Sequence, residues 1–132
     1  MIQQRITIIK VRKPLQPTLN AELQWLGTSL GLFNLRDKEK SCFRIFIELL
    51  KATKHNKSIT SDQLADKLNL SRGTVIHHIN KLMETGSVIY ESKGYMLRVN
   101  NLSALIDELE NDLIHTCKTL RRVAEEIDGR LV

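Results

Sequence analysis

The chain has 132 residues, of which 42% are hydrophobic and 27% charged, and a net charge of +5. That length suits one small domain with an elaboration rather than two full domains. No run approaches the ~18 apolar residues of a membrane-spanning helix. The opening MIQQRITIIKVRK has no apolar stretch ahead of a small-residue cleavage site, so the expected compartment is the cytosol, with no membrane partner.

Charge is unevenly spread. Residues 1–13 carry four bases and no acid, whereas residues 101–132 carry four bases against seven acids. A basic front and middle favours phosphate through Coulomb attraction and counterion release. Cys42 and Cys117 lie far apart with no CxxC partner, so they read as two thiols and not as a zinc framework.

In chain order, RITIIKV places Ile6, Ile8 and Val11 among polar residues, which predicts a short strand or an extended arm. Because these side chains need burial, a role in a sheet or against a partner chain is favoured over tracking a phosphate backbone. Pro14 and Pro17 mark a linker. Leu19, Leu23, Leu26 and Leu30 then recur on one helical face that ends near Gly31. Trp25 sits off the centre of that face, where packing is favoured over lining a pocket. A second helix is predicted from about Asp37 to Thr53, with Phe43, Phe46, Ile47 and Leu50 inward.

The best-marked region follows. Thr60 and Gln63 make a capping box, with Ile59 and Leu64 at hydrophobic-staple spacing. Leu64, Ala65 and Leu68 form the inner face of a short helix. Ser71 caps the next helix, with Leu70 and Val75 repeating the staple. Two short capped helices about three residues apart are the sequence form of a helix-turn-helix.

The second of these helices is predicted over about 72–85, stopped by Gly86. At 100° per residue, Val75, Ile76, Ile79, Leu82 and Met83 share one arc. Gly73, Thr74, His77, Lys81 and Glu84 lie opposite, with His78 and Asn80 on the flanks. A polar outward face with short side chains at its start suits entry into the major groove N-terminus first. His77 and His78 project about 100° apart and cannot chelate a metal together from one helix. Residues 87–90 and 95–99 read as two strands joined by Glu91-Ser92-Lys93-Gly94, with Lys-Gly at the turn. This is a wing whose tip offers Lys93 to phosphate. A last helix from about Leu102 to Asp128 carries Leu102, Ile106, Leu109, Leu113, Cys117, Leu120, Ala124 and Ile127 in near-heptad steps, which predicts a dimerisation helix.

The run Ser71-Arg72-Gly73-Thr74-Val75-Ile76-His77-His78-Ile79-Asn80-Lys81-Leu82, followed by Gly86 and the wing strands, resembles the winged helix-turn-helix regulators of the ArsR type over about residues 40–100. MarR-like and archaeal-type regulators share the pattern. The resemblance implies DNA binding and dimerisation. It does not support metal sensing, because SDQLADKLNL lacks the family's Cys-x-Cys. Asp112 and His115 also lack the second histidine of the family's C-terminal site.

The expected fold is mainly α with a small β wing. It comprises an N-terminal strand and helix extension (1–36), a winged helix-turn-helix (37–100) and a C-terminal dimerisation helix (101–132). The expected function is a sequence-specific, double-stranded-DNA-binding homodimer that is not an enzyme and needs no cofactor or metal. Ser71, Arg72, Thr74, His77 and Lys81 would face the groove, while Thr60, Lys93 and Tyr95 would contact or flank the backbone. The alternative is a winged-helix protein-interaction module of a transcription or RNA-processing assembly. No pattern in the sequence specifies an effector.

Overall fold

The computed structural model describes residues 3–34 and 40–131. Five helices and one hairpin follow in chain order: α1 (Leu19–Ser29), α2 (Ser41–Lys54), α3 (Ser61–Leu68), α4 (Arg72–Glu84), β1 (Val88–Glu91), β2 (Gly94–Leu97) and α5 (Leu102–Arg130). This is a winged helix-turn-helix carrying an N-terminal extension and a long C-terminal helix. No helix among the described residues is long and apolar enough to cross a membrane.

The core forms where α2, α3, α4 and the hairpin meet. Ile45, Phe46 and Leu49 from α2 pack with Leu64 of α3, with Val75, Ile79 and Leu82 of α4, and with Val88 and Leu97 of the hairpin. Two buried polar groups of α2 are satisfied across elements. Thr53 Oγ1 accepts from the Leu97 amide at 3.0 Å, which fastens β2 to α2. Glu48 takes Lys67 Nζ of α3 at 2.9 Å. The expected start of α2 at Asp37 falls outside the described residues; the described helix begins at Ser41 behind Lys40, which is left-handed at φ 53.

Local chemistry fixes the helix-turn-helix boundaries. Thr60 Oγ1 accepts from the Gln63 amide at 3.1 Å, and Gln63 Oε1 accepts from the Thr60 amide at 2.9 Å, completing the capping box. Asn69 closes α3 in the left-handed region at φ 54, and the Leu70 amide returns to the Ala65 carbonyl. Ser71 Oγ accepts from the Thr74 amide at 3.1 Å and opens α4. At the far end Gly86, at φ +83, directs the Ser87 amide back to the Leu82 carbonyl.

The hairpin is antiparallel and pairs Val88 with Leu97 and Glu91 with Gly94. Its two-residue turn is therefore Ser92-Lys93, both at positive φ (54° and 64°), and not the expected Lys-Gly. Gly94 is needed for a different reason. A Cβ there would lie 2.8 Å from Ser58 Oγ and 3.0 Å from the Ile59 amide nitrogen. The close approach lets Ile59 and Tyr95 exchange both backbone hydrogen bonds, adding a one-residue bridge to the wing.

Of the two alternatives for the N-terminus, the structure shows an arm. Residues 3–13 pair with no strand, and the expected strand does not form. The arm is held by single contacts: the Arg5 amide to the Glu84 carbonyl at 2.8 Å and the Ile9 amide to the Ser29 carbonyl at 2.7 Å. Trp25 Nε1 donates to the Val11 carbonyl at 3.0 Å, so its packing role is to tie the arm to α1. Ile6 and Val11 are half-buried, but Ile8 remains 65% exposed. On α1 the buried residue is Gly27, under the Phe33 ring, whereas Leu19 is exposed.

Candidate nucleic-acid interface

Helix α4 has one face in the core and one in solvent. Val75, Ile79 and Leu82 are fully buried, and Ile76 and Met83 are half-buried beside them. Ser71, Arg72, Gly73, His77, Asn80 and Lys81 are exposed, while Thr74 is half-buried. A Cβ added at Gly73 meets nothing within 4 Å, so the first outward turn is open. Free amides of that first turn add partial positive charge where Arg72 begins the helix.

The structure brings several expected residues into short-range order. Ser71 Oγ donates to Thr74 Oγ1 at 2.8 Å while capping the helix, so both hydroxyls are committed to shaping its start. Arg72 Nε lies 3.2 Å from Asp62 Oδ1 of α3, with both side chains mostly exposed. Such a solvated pair is weak; it leaves Arg72 available to an incoming phosphate. His77 sits edge-to-face with His78, ring centroids 5.3 Å apart.

Near the C-terminal end of α4, Lys81 lines a cavity of about 700 Å³ together with His78, Glu84 and Arg5 of the arm. Glu84 is paired there with Arg5 Nε at 3.2 Å, so its charge does not stand alone on the outward face. Asn80, which the helical projection put on a flank, is exposed beside Lys81. The period-3.6 pattern places it one step from the apolar arc, and only the tilt of α4 on the core shows which way it turns.

The three residues expected to contact or flank the backbone, Lys93, Tyr95 and Thr60, lie in different settings. Lys93 stands exposed at the wing tip. Tyr95 pairs with Tyr90 on the same hairpin face as Val88 and Leu97, is half-buried, and packs on the core. Its ring lies 5.1 Å from that of the exposed Tyr90. Thr60 is half-buried and its hydroxyl is occupied in the capping box. Its neighbour Ile59 is the residue bridged to Tyr95, so Thr60 and Tyr95 belong to one tied-down segment.

A second polar cluster, silent in the sequence, joins the wing to α5. Arg98, just after β2, pairs with both oxygens of Asp112 and lies 3.1 Å from Glu108 Oε2. Gln4 Nε2 of the arm donates to Asp112 Oδ2 at 2.9 Å and to the Thr85 carbonyl at 3.2 Å. The bond from Arg98 holds the Asp112 carboxyl below its ordinary value of 3.8 against the opposing effect of burial, and Gln4 adds to the lowering. Asp112 is thus an ion-pair partner of Arg98. No group of three His, Cys, Asp or Glu among the described residues could hold a metal ion.

Comparison with known proteins agrees with this geometry over the central region. Residues 46–96 match the family model described as an HTH domain, from the middle of α2 to the penultimate residue of β2. No curated protein and no solved structure matches the chain. The chain therefore carries a helix-turn-helix domain with a two-stranded wing, the architecture of a DNA-binding regulator.

Proposed function

We propose that this protein is a sequence-specific, double-stranded-DNA-binding transcription regulator that acts as a homodimer in the cytoplasm, with α4 in the major groove. The observation that carries the reading is the outward face of α4. It is exposed at Ser71, Arg72, His77, Asn80 and Lys81, open at Gly73, and backed by fully buried Val75, Ile79 and Leu82. A rigid inner face fixes the aim of the outer one, which base readout requires. Arg72 and Lys81 supply charge to phosphates or guanine edges, His77 and Asn80 supply donors and acceptors in the groove, and Lys93 of the wing reaches phosphate. Thr60 and Tyr95 flank the backbone by positioning the segment that joins wing and α3. The apolar stripe that α5 leaves in solvent supports a second copy of the chain as partner.

Fluorescence anisotropy with a selected duplex at two salt concentrations tests this. Arg72→Ala and Lys81→Ala each lower affinity by about tenfold. Each also flattens the salt slope by about one, as removing one phosphate-neutralising side chain does. Unchanged affinity and slope in both variants would remove α4 from the interface.

A further inference from the structure

Helix α5 changes character along its length. Leu105 and Leu109 are buried against the winged domain, and Asp112 is clasped by Arg98. Beyond that point the helix continues to Arg130 with every residue from Ile114 onward exposed. Its apolar residues nevertheless keep order. Leu113, Cys117, Leu120, Ala124, Ile127 and Leu131 step by four, three, four, three, four, a strict seven-residue repeat on one stripe. Leu120 is 62% exposed, Ile127 50% and Leu131 77%. A stripe this regular is wasted in water and fits a partner helix bearing the same repeat.

Charge on the same segment selects the partner's direction. Lys118, Arg121 and Arg122 form a basic block, and Glu125, Glu126 and Asp128 form an acidic one immediately after it. A parallel, in-register pair sets each block level with its own copy and gains no ion pair across the seam, because its flanking positions match Thr116 with Arg121 and Val123 with Asp128. An antiparallel pair sets each block against the opposite sign.

We propose that residues 113–131, the end of α5 and its C-cap Leu131, pair antiparallel with the same segment of a second copy, with the two-fold axis at the level of Arg122. This rests on the homodimer reading above and gives it a geometry. In that register Leu113 faces the partner's Leu131, Cys117 faces the partner's Ile127, and Leu120 faces the partner's Ala124. Along one flank Lys118 meets the partner's Asp128 and Arg121 meets the partner's Glu125. Val123, 48% exposed, falls beside its own copy near the axis on one flank, and Arg121 falls near its own copy on the other, where the partner's Glu125 lies within a turn of it. Sliding the pair by one heptad towards the N-terminus sets the Glu110 carboxylate against Ile127 and Lys118 near Arg121, so the charge pattern selects the register as well as the direction. The overlap is ~27 Å long at 1.5 Å per residue, and the two winged domains stand at its opposite ends.

A short bis-maleimide crosslinker on the full chain separates the arrangements. Cys42 is buried and Cys117 exposed. In the antiparallel pair the two Cys117 thiols are offset by ~15 Å along the axis, so the wild-type protein crosslinks poorly. Ile127→Cys places a thiol opposite Cys117 of the partner and raises the yield of covalent dimer at least tenfold. Efficient crosslinking of the wild type through Cys117 would overturn the proposal in favour of a parallel pair. A charge exchange provides a second readout that leaves the apolar stripe intact. Arg121→Glu weakens the dimer about tenfold by sedimentation, and Arg121→Glu combined with Glu125→Arg restores it. No restoration in a protein that still dimerises would overturn the register. A wild-type chain that is monomeric at tens of micromolar would overturn the homodimer reading itself, and the pairing with it.

Discussion

Helices α4 and α5 are both amphipathic, yet they use their two faces in opposite ways. In α4 the apolar arc is consumed within the chain: Val75, Ile79 and Leu82 have no exposed surface, and the polar face is what remains for a partner. In α5 the apolar stripe is consumed only as far as Leu109, and it is the apolar face that remains. A small domain can cover only so much helix, because its surface is large relative to the core it can build. The face left over is the one that each proposal uses, the polar and basic face of α4 for nucleic acid and the apolar face of α5 for a second copy.

The comparison can be broken at its strongest point first. Ile79→Ala leaves a cavity among α2, α4 and the hairpin and costs about 3 kcal/mol, within the range for buried large-to-small changes. Thermal unfolding should show a drop of many degrees for a chain of this size. Leu120→Asp alters an equally apolar position of α5 but disturbs no packing within the chain. The winged domain should keep its monomer stability to within about 0.5 kcal/mol, while the dependence of melting temperature on protein concentration that the proposed dimer confers disappears. Equal losses of domain stability in the two variants would erase the distinction between the helices.

A smaller effect tests the junction between the two regions. Asp112 is stabilised as a carboxylate in the folded state, below its ordinary 3.8, chiefly by Arg98. The group therefore contributes stability that is fully present above 3.8 and is lost as pH falls through its lower folded value. Asp112→Asn should cost about 1–2 kcal/mol at neutral pH, and the gap to wild type should close as pH drops below about 3.8. A gap independent of pH would mean that the clasp acts by packing alone. The smallest change is Thr60→Ala, which removes one half of the capping box and should cost about 1 kcal/mol in denaturant unfolding.

Much of the helix-turn-helix was legible because its signals are local. The Thr60–Gln63 reciprocity, the Ser71 cap, the left-handed stop at Gly86 and the inner residues of α4 all act within four or five residues of sequence. The parts that escaped depend on distant partners. Leu105 is fully buried, but the repeat pointed to Ile106, since only the docking of α5 on the domain decides which side of its first turns faces in. The turn at Ser92-Lys93 escaped because Gly94 is the usual turn former, while its real constraint is the backbone at Ile59. Arg98, Asp112 and Gln4 meet across more than a hundred residues, and no spacing rule relates them. For the candidate site, the outward residues of α4 followed from helical period alone. The inward set of Tyr95 followed from hairpin register, which the misplaced turn had left undefined.

The bond from Trp25 to the Val11 carbonyl has an optical consequence. The chain contains a single tryptophan, so the whole indole emission of the protein comes from the place where the arm is pinned to α1. While the arm is docked, that ring is half-buried with its N–H occupied. Release of the arm would expose it to water and shift its emission to the red. The arm also reaches Glu84 and Thr85 at the end of α4 and Asp112 on α5. One unmodified fluorophore therefore reports on the segment that touches both the helix proposed to face DNA and the helix proposed to join two copies.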